Sequence, residues 1–260
     1  MNVILLTRTD RPSGALTALE IYNSSHNLLA VIAEERIKML TRKESIPAVL
    51  YRSIMEQGIK FTISKITEQL RIRAHYLLRK HGLKKSGGTY LSINEFLLDH
   101  SVPYHTVENH NSPETVKIIG DLCPDIIVLC NTRVIKPDII NIPSKGCLNL
   151  HLGKLPEYRG MSSCFWEIYN GEERGGITVH FIDDKLDSGD IVLEEGIDIN
   201  NNDTEHTLYN RKLPIGTKLI TKALDLISEG GEKRITQDPN YAKMYHLPTK
   251  EEYRSLKQRK

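Results

Sequence analysis

This chain of 260 residues predicts an α/β fold, a largely parallel sheet with flanking helices. Three observations carry that expectation. The chain opens in the order strand, turn, helix, strand: Asn2 to Thr7, the turn-forming run Thr9 to Gly14, Ala15 to Tyr22, and the apolar LLAVIA from Leu28 to Ala33. Asp125 to Cys130 (DIIVLC) is a continuous apolar run of strand length, the pattern of a strand covered on both faces at the centre of a parallel sheet. Beyond residue 93, short helical and strand-like segments alternate up to residue 199.

Taken in order, the turn after the first strand lacks GxGxxG and the chain lacks GxxxxGK[ST], so dinucleotide and Walker-type sites lose their sequence support. Residues 45 to 85 interrupt the rhythm as a helical insert, with apolar positions at Leu50, Ile54, Ile59, Ile63, Ile66, Leu70, Leu77 and Leu78. From Gln69 to Asn94 no acidic residue occurs, while Arg71, Arg73, Arg79, Lys80, Lys84 and Lys85 do. A solvated helical face is the plainer reading of this basic stretch; a phosphate- or RNA-facing surface is the functional one. Lys85 to Gly88 reads as a mobile loop. Ile93 to Leu98 then reads as a helix and Val102 to Val107 as a strand. Ser112-Pro113-Glu114 starts a helix, with an N-cap hydroxyl, proline at the first helical position and a carboxylate near the positive dipole end. Val134 to Ile140 is expected helical, Gly146 to His151 a strand, Ser162 to Tyr169 a helix, and Gly176 to Ile182 and Ile191 to Ile199 strands. Asp203 is expected to cap a helix reaching about Ser228, kinked or broken near Pro214. Residues 230 to 260 are polar and read as irregular at their ends. The organisation is one catalytic α/β unit over residues 1–200, including the insert 45–85, with a helix and tail at 201–260 packed on it.

Apolar residues make up 39% of the chain and charged residues 26%, with a net charge of +2, so overall charge does not argue for nucleic acid or membrane. The apolar start is too short for a signal h-region or a span, which predicts a cytoplasmic protein. The four cysteines, Cys123, Cys130, Cys147 and Cys164, form no CxxC pair and read as free thiols rather than disulfides or a zinc site.

The chemistry concentrates in CLNLHLGKLPEYRG, residues 147–160. Residues two apart on a strand share a face, so Asn149 and His151 point together at the carboxyl end of a strand, where ligands bind in open parallel sheets. A satisfied polar pair would explain them equally well in isolation. The next segment, GITVHFIDDKLDSGDIV (176–192), adds His180 and a turn holding Asp183, Asp184, Asp187 and Asp190 around Ser188-Gly189. An amide donor, an imidazole and a carboxylate brought together are a kit for acyl transfer.

Together these segments resemble the N10-formyltetrahydrofolate-dependent formyltransferases, which include glycinamide ribonucleotide, methionyl-tRNA and sugar N-formyltransferases. The resemblance rests on Asn149-Leu-His151, Leu155-Pro156, Tyr158-Arg159-Gly160, Gly176-Ile-Thr178-Val-His180 and Leu186-Asp187-Ser-Gly189, and covers residues 100 to 200 well. It implies a Rossmann-like sheet and N10-formyltetrahydrofolate as co-substrate, with no metal. It implies catalytic roles for Asn149, His151 and Asp187: Asn149 donating to a tetrahedral oxyanion, His151 serving as base or oxyanion stabiliser, and Asp187 orienting His151 or taking the amine proton. Leu155, Pro156, His180, Asp183, Asp184, Ser188 and Gly189 would border the folate, with a packed strand histidine an equal reading of His180. Tyr158 and Arg159 are expected to shape the loop and Trp166 to lie in the core. Gly153-Lys154 replaces the family's usual Ser-Leu, so no serine role carries over.

The acceptor is expected to be a small-molecule amine, a nucleotide-linked amino sugar first, because only a short tail follows Ser228 and 241–249 resembles tails of such enzymes. Nucleic acid and membrane are not expected as partners, and a homodimer is left open. Methionyl-tRNA or another amine, and hydrolysis of the formyl-folate, stand as alternatives. A metal hydrolase built on His151, His180 and Asp187 lacks a metal-ligand spacing.

Overall fold

The computed structural model describes residues 1–9, 11–35, 45–85, 87 and 90–259. A seven-stranded sheet runs through it in the order β3-β2-β1-β4-β5-β7-β8. β1 (Asn2–Arg8), β2 (Asn27–Glu34), β3 (Tyr104–Val107), β4 (Ile126–Leu129) and β5 (Cys147–His151) are parallel, while β7 (Arg174–Phe181) and β8 (Ile191–Asp198) continue the sheet antiparallel. The expected α/β class with a largely parallel, Rossmann-like sheet is therefore the observed one.

Both faces of the sheet are covered, which is why its central strands read as unbroken apolar runs. Alternation along β1 sends Val3 and Leu5 to one core and Ile4 and Leu6 to the other. The first core is roofed by α1 (Pro12–Tyr22) and two helices introduced below, α4 and α8. The second lies under α5 (Pro113–Leu122) and the one-turn α6 (Pro137–Ile140). Ser112 caps α5 by accepting from the Thr115 amide, as its sequence predicts. The helix expected over Val134 to Ile140 shrinks to its last turn because Pro137 fixes the first helical position.

The insert is a hairpin of α2 (Ile46–Gln57) and α3 (Ile59–Lys80), turned at Gly58 with φ +89°. The expected loop at 85–88 falls largely outside the described residues, since Ser86 and Gly88 are not among them; Asp10 of the first turn is not either. α4 (Ile93–Asp99) follows, anchored by Phe96.

Two expectations about the C-terminal part are corrected. Thr204, not Asp203, caps α8 (Glu205–Glu229), exchanging bonds with Thr207 in a capping box. Asp203 instead accepts from the Asn200 amide and the Thr207 hydroxyl and pairs with Arg211. Pro214 does not break α8, which runs on through it. Leu208, Leu213, Ile220 and Ile227 are buried on both sides of the proline, and that packing outweighs one missing backbone bond. The tail is also more ordered than its polarity suggests. β9 (Met244–Tyr245) pairs with β6 (Arg159–Gly160), and α9 (Lys250–Arg259) follows. Phe165 and Trp166 of α7 (Ser163–Tyr169) pack with Tyr158, Tyr245 and Tyr253, and the Trp166 indole donates to the His246 carbonyl at 2.8 Å. Trp166 is thus core, as expected. All four cysteines are free, three of them buried and Cys123 exposed.

Phe165 is fully buried where α7 meets α9. Phe165→Ala is expected to lower unfolding free energy by about 3–5 kcal/mol, measured by urea denaturation, with earlier proteolysis of the segment after residue 240 than in the parent chain.

Candidate active site

β5 carries Asn149 and His151 to the carboxyl edge of the parallel strands, and its antiparallel neighbour β7 brings a second pair beside them. The register sets Asn149 opposite His180 and His151 opposite Thr178. All four side chains therefore share one face. The Thr178 hydroxyl donates to the Gly153 carbonyl at 2.8 Å and accepts from the Leu155 amide at 3.4 Å, pinning the loop that follows β5. Glycine is required at 153: a Cβ there would lie 2.5 Å from the Ser163 Cβ and 2.7 Å from the His151 Nε2. Beneath the loop, the fully buried Lys212 pairs with Glu167 and donates to the Leu152 carbonyl at 3.1 Å, and Glu167 accepts from the Gly176 amide at 2.8 Å.

His151 donates its Nε2–H to the Tyr158 carbonyl at 2.6 Å, leaving Nδ1 directed toward Asp187, 3.7 Å from Oδ2. The other Asp187 oxygen lies 3.8 Å from His180 Nε2. The carboxylate sits between two imidazoles, and the Gly160 amide donates to it at 2.8 Å. Asp187 has φ +52°. Left-handed backbone is costly except for glycine, asparagine and aspartate, and the turn is held from outside. The Gln237 side-chain amide donates to the Asp187 and Gly189 carbonyls at 3.0 and 2.7 Å and accepts from the Arg159 guanidinium at 2.7 Å.

His180 is fully buried. Burial pushes its pKa down to about 4, against the upward pull of Asp187. The neutral ring donates Nδ1–H to the Phe181 carbonyl at 2.8 Å, so Nε2 accepts from the Asn149 amide at 3.1 Å. This fixes which end of the Asn149 amide is nitrogen.

The structure thus gathers Asn149, His151 and Asp187, the three residues singled out for catalysis. Of the two readings of His180, the structure has the packed one and not the folate-bordering one: with no exposed surface, the ring orients Asn149. Leu155 is buried and Pro156 follows it in a cis peptide. Asp183 accepts from the Ser188 hydroxyl at 2.6 Å and the Lys185 amide at 3.1 Å. Asp183, Asp184 and Ser188 line a cleft of about 340 Å³ with Arg159, Gln237 and Pro239, while Gly189 passes behind it, its Cα packed toward the Phe181 carbonyl. Tyr158 and Arg159 shape the loop through a backbone carbonyl and a guanidinium. Sequence reasoning missed Gln237. The only hint was its place in TQDP, one residue before a turn, with nothing to tie it to a loop fifty residues earlier. Among the described residues, no group of three His, Cys, Asp or Glu side chains is placed to hold a metal ion, and no helix is long and apolar enough to cross a membrane.

A mostly parallel sheet with an amide, two imidazoles and a carboxylate at its carboxyl edge defines a class, and comparison with known proteins identifies it. The formyl transferase family model matches residues 79–224, more than half of the chain, and the chain belongs to that family. It is 38% identical over 128 residues to the methionyl-tRNA formyltransferase of Pelotomaculum thermopropionicum, covering 48% of this chain and 41% of that one. The chain spans about half the length of the curated relatives it matches. Its fold matches a sugar 3N-formyl transferase, WlaRD, crystallised in the presence of dTDP and 5-N-formyl-THF, with TM-score 0.60, 19% identity and coverage of 94% of this chain and 69% of that one. It also matches the N-formyltransferase of Helicobacter canadensis in complex with folinic acid and dTDP-3-aminofucose, with TM-score 0.58, 16% identity and coverage of 94% and 70%.

His180 makes folding pH-dependent with a definite sign. In an unfolded chain histidine titrates at 6.5, and in the fold His180 does so only near 4. Between those values unfolding takes up a proton, so the stability present above pH 6.5 declines as pH falls toward 4. His180→Gln is expected to flatten that decline, measured by urea denaturation across the window.

Proposed function

We propose that this chain is an N-formyltransferase that moves the formyl group of N10-formyltetrahydrofolate onto a primary amine. The observation that carries the reading is the convergence of Asn149, His151 and Asp187 at one strand end, within the segment matched by the family. The cleft beside the 183–188 turn suits the folate: the Asp183 and Asp184 carboxylates and the Ser188 hydroxyl can pair with the donor-rich edge of a pterin, and Arg159 and Lys185 stand beside them for its anionic tail.

In this reading the amine nitrogen attacks the formyl carbon and the carbonyl electron pair moves onto oxygen. Asn149 has one amide hydrogen engaged by His180 and holds the other for that oxyanion, without needing to titrate. His151 has Nε2–H committed to the Tyr158 carbonyl, so Nδ1 is the nitrogen that exchanges protons. The ring takes the proton lost by the amine on the nitrogen that faces the Asp187 carboxylate. Collapse of the tetrahedral adduct breaks the bond from carbon to N10, and the same proton passes to the departing nitrogen.

Two acceptor classes are proposed. A nucleotide-linked amino sugar is the first, in line with the folds of the two sugar N-formyltransferases. Methionyl-tRNA is supported at least as well, since relatives 32–38% identical to this chain are methionyl-tRNA formyltransferases. Incubation of the purified chain with N10-formyltetrahydrofolate and each acceptor is expected to add one carbonyl mass to one of them. Equal folate consumption with release of free formate and no acylated amine would identify a hydrolase instead.

Asn149→Ala, His151→Ala and Asp187→Ala are each expected to lower turnover by about two to four orders of magnitude, read by the same carbonyl transfer, with unchanged circular dichroism.

A further inference from the structure

The hairpin of α2 and α3 has its polarity reversed relative to an ordinary surface helix. The side of α3 that meets the rest of the chain is held largely by ions. Glu68 pairs with Lys65 at 3.1 Å and lies 3.9 Å from Arg11, His75 meets Glu95 at 2.9 Å, and Arg79 meets Asp99 at 2.5 Å. The opposite side is apolar and open. Ile59, Ile63, Ile66, Leu70 and Leu77 are all between 41% and 58% exposed. Their steps of four, three, four and seven fall on one narrow stripe of a helix with 3.6 residues per turn. On α2, Ile46, Leu50 and Ile54 repeat every four residues, and no residue of that helix is buried. Single exposed apolar side chains are ordinary, but a row of them along each of two paired helices marks a surface that is covered in the working molecule.

We propose that this hairpin is a self-association surface, pairing with the same hairpin of a second copy of this chain about a two-fold axis to form a four-helix layer. Three features of the stripe select a second copy. Its four-three spacing is the a/d seam that one helix offers another of the same kind. Antiparallel pairing of α3 with itself places Ile66 against Leu70 and Ile59 against Leu77, so the seam complements its own reversal, as a two-fold interface requires. Of the positions flanking the seam, 60, 62, 67, 69, 74 and 76, only Lys60 is charged, and the reversal sets position 60 near 74 and 76 of the other copy and not near its own equivalent. Arg73 alone interrupts the seam, and its long side chain can lie along the apolar strip with its head in water. The extent is also adequate. α3 with 22 residues and α2 with 12 are about 33 and 18 Å long, and at about 10 Å of width each they offer a face of about 500 Å², toward the lower end of what each partner contributes to a stable interface.

Sedimentation velocity of the purified chain tests this. The expected mass is twice the 29.6 kDa of one chain, falling to one chain in the Ile66→Glu, Leu70→Glu double variant, which sets carboxylate against carboxylate, with helix content unchanged. Leu77→Glu alone, at the far end of the seam, is expected to weaken the dimer at least tenfold, and it serves as the measure if the double variant does not fold. A parent chain that stays single up to about 100 μM would overturn the proposal. So would a dimer that survives either set of changes, or a single chain whose seam is protected from hydrogen exchange only by added tRNA or anionic vesicles.

Discussion

A carboxylate largely removed from water needs polar groups packed around it, and that requirement at Asp187 organises this protein. The side chain is largely buried between two imidazoles, with the Gly160 amide donating to it. An uncompensated charge there would cost several kcal/mol or lose its ionisation. The groups around it come from different parts of the chain: the His151 ring from β5, the His180 ring from β7, and the donating Gly160 amide from the loop between them. The backbone of the turn is in turn clamped by Gln237 from the tail. One buried charge therefore couples the centre of the sheet, the Leu-Pro loop and the C-terminal segment into one body.

The two histidines differ through burial and bonding rather than chemistry. His180, sealed in the sheet and depressed by desolvation, is a neutral acceptor that sets the Asn149 amide. His151 has one nitrogen committed to a backbone carbonyl and the other turned to the carboxylate. The same ring type thus orients a neighbouring amide in one position and, in the proposed mechanism, carries the proton in the other. The loop that supplies those backbone groups stands on the Lys212–Glu167 pair, whose charges are satisfied by each other, by the Leu152 carbonyl and by the Gly176 amide. Such a pair contributes position more than net stability.

The α2–α3 hairpin shows the opposite balance. It is tied to the body by ion pairs at its inner side and leaves its apolar stripe outward, outside the residues matched by the family model. The basic positions noted in the sequence divide accordingly. Arg79 is buried against Asp99 and Glu95, whereas Arg71, Arg73 and Lys80 face solvent. A window of like charge in the sequence was therefore not one surface, because helical rotation sends its members to different sides.

By itself the sequence determined the class of fold, the central strands and the three polar residues at the strand end. Those features are written in local patterns: period-two alternation, continuous apolar runs, Ser-Pro-Glu at a helix start, and Asn-x-His before a glycine break. Only the tertiary structure decided what depends on distant chain segments meeting. It placed Gln237 under a turn fifty residues away and folded the polar tail onto an aromatic cluster. It carried α8 through Pro214 on the strength of its buried side chains, and it withdrew His180 from the cleft into the sheet. Spacing can say that two side chains share a face, but burial, which sets the cost of a missing partner and so the role of each group, is a property of the packed whole.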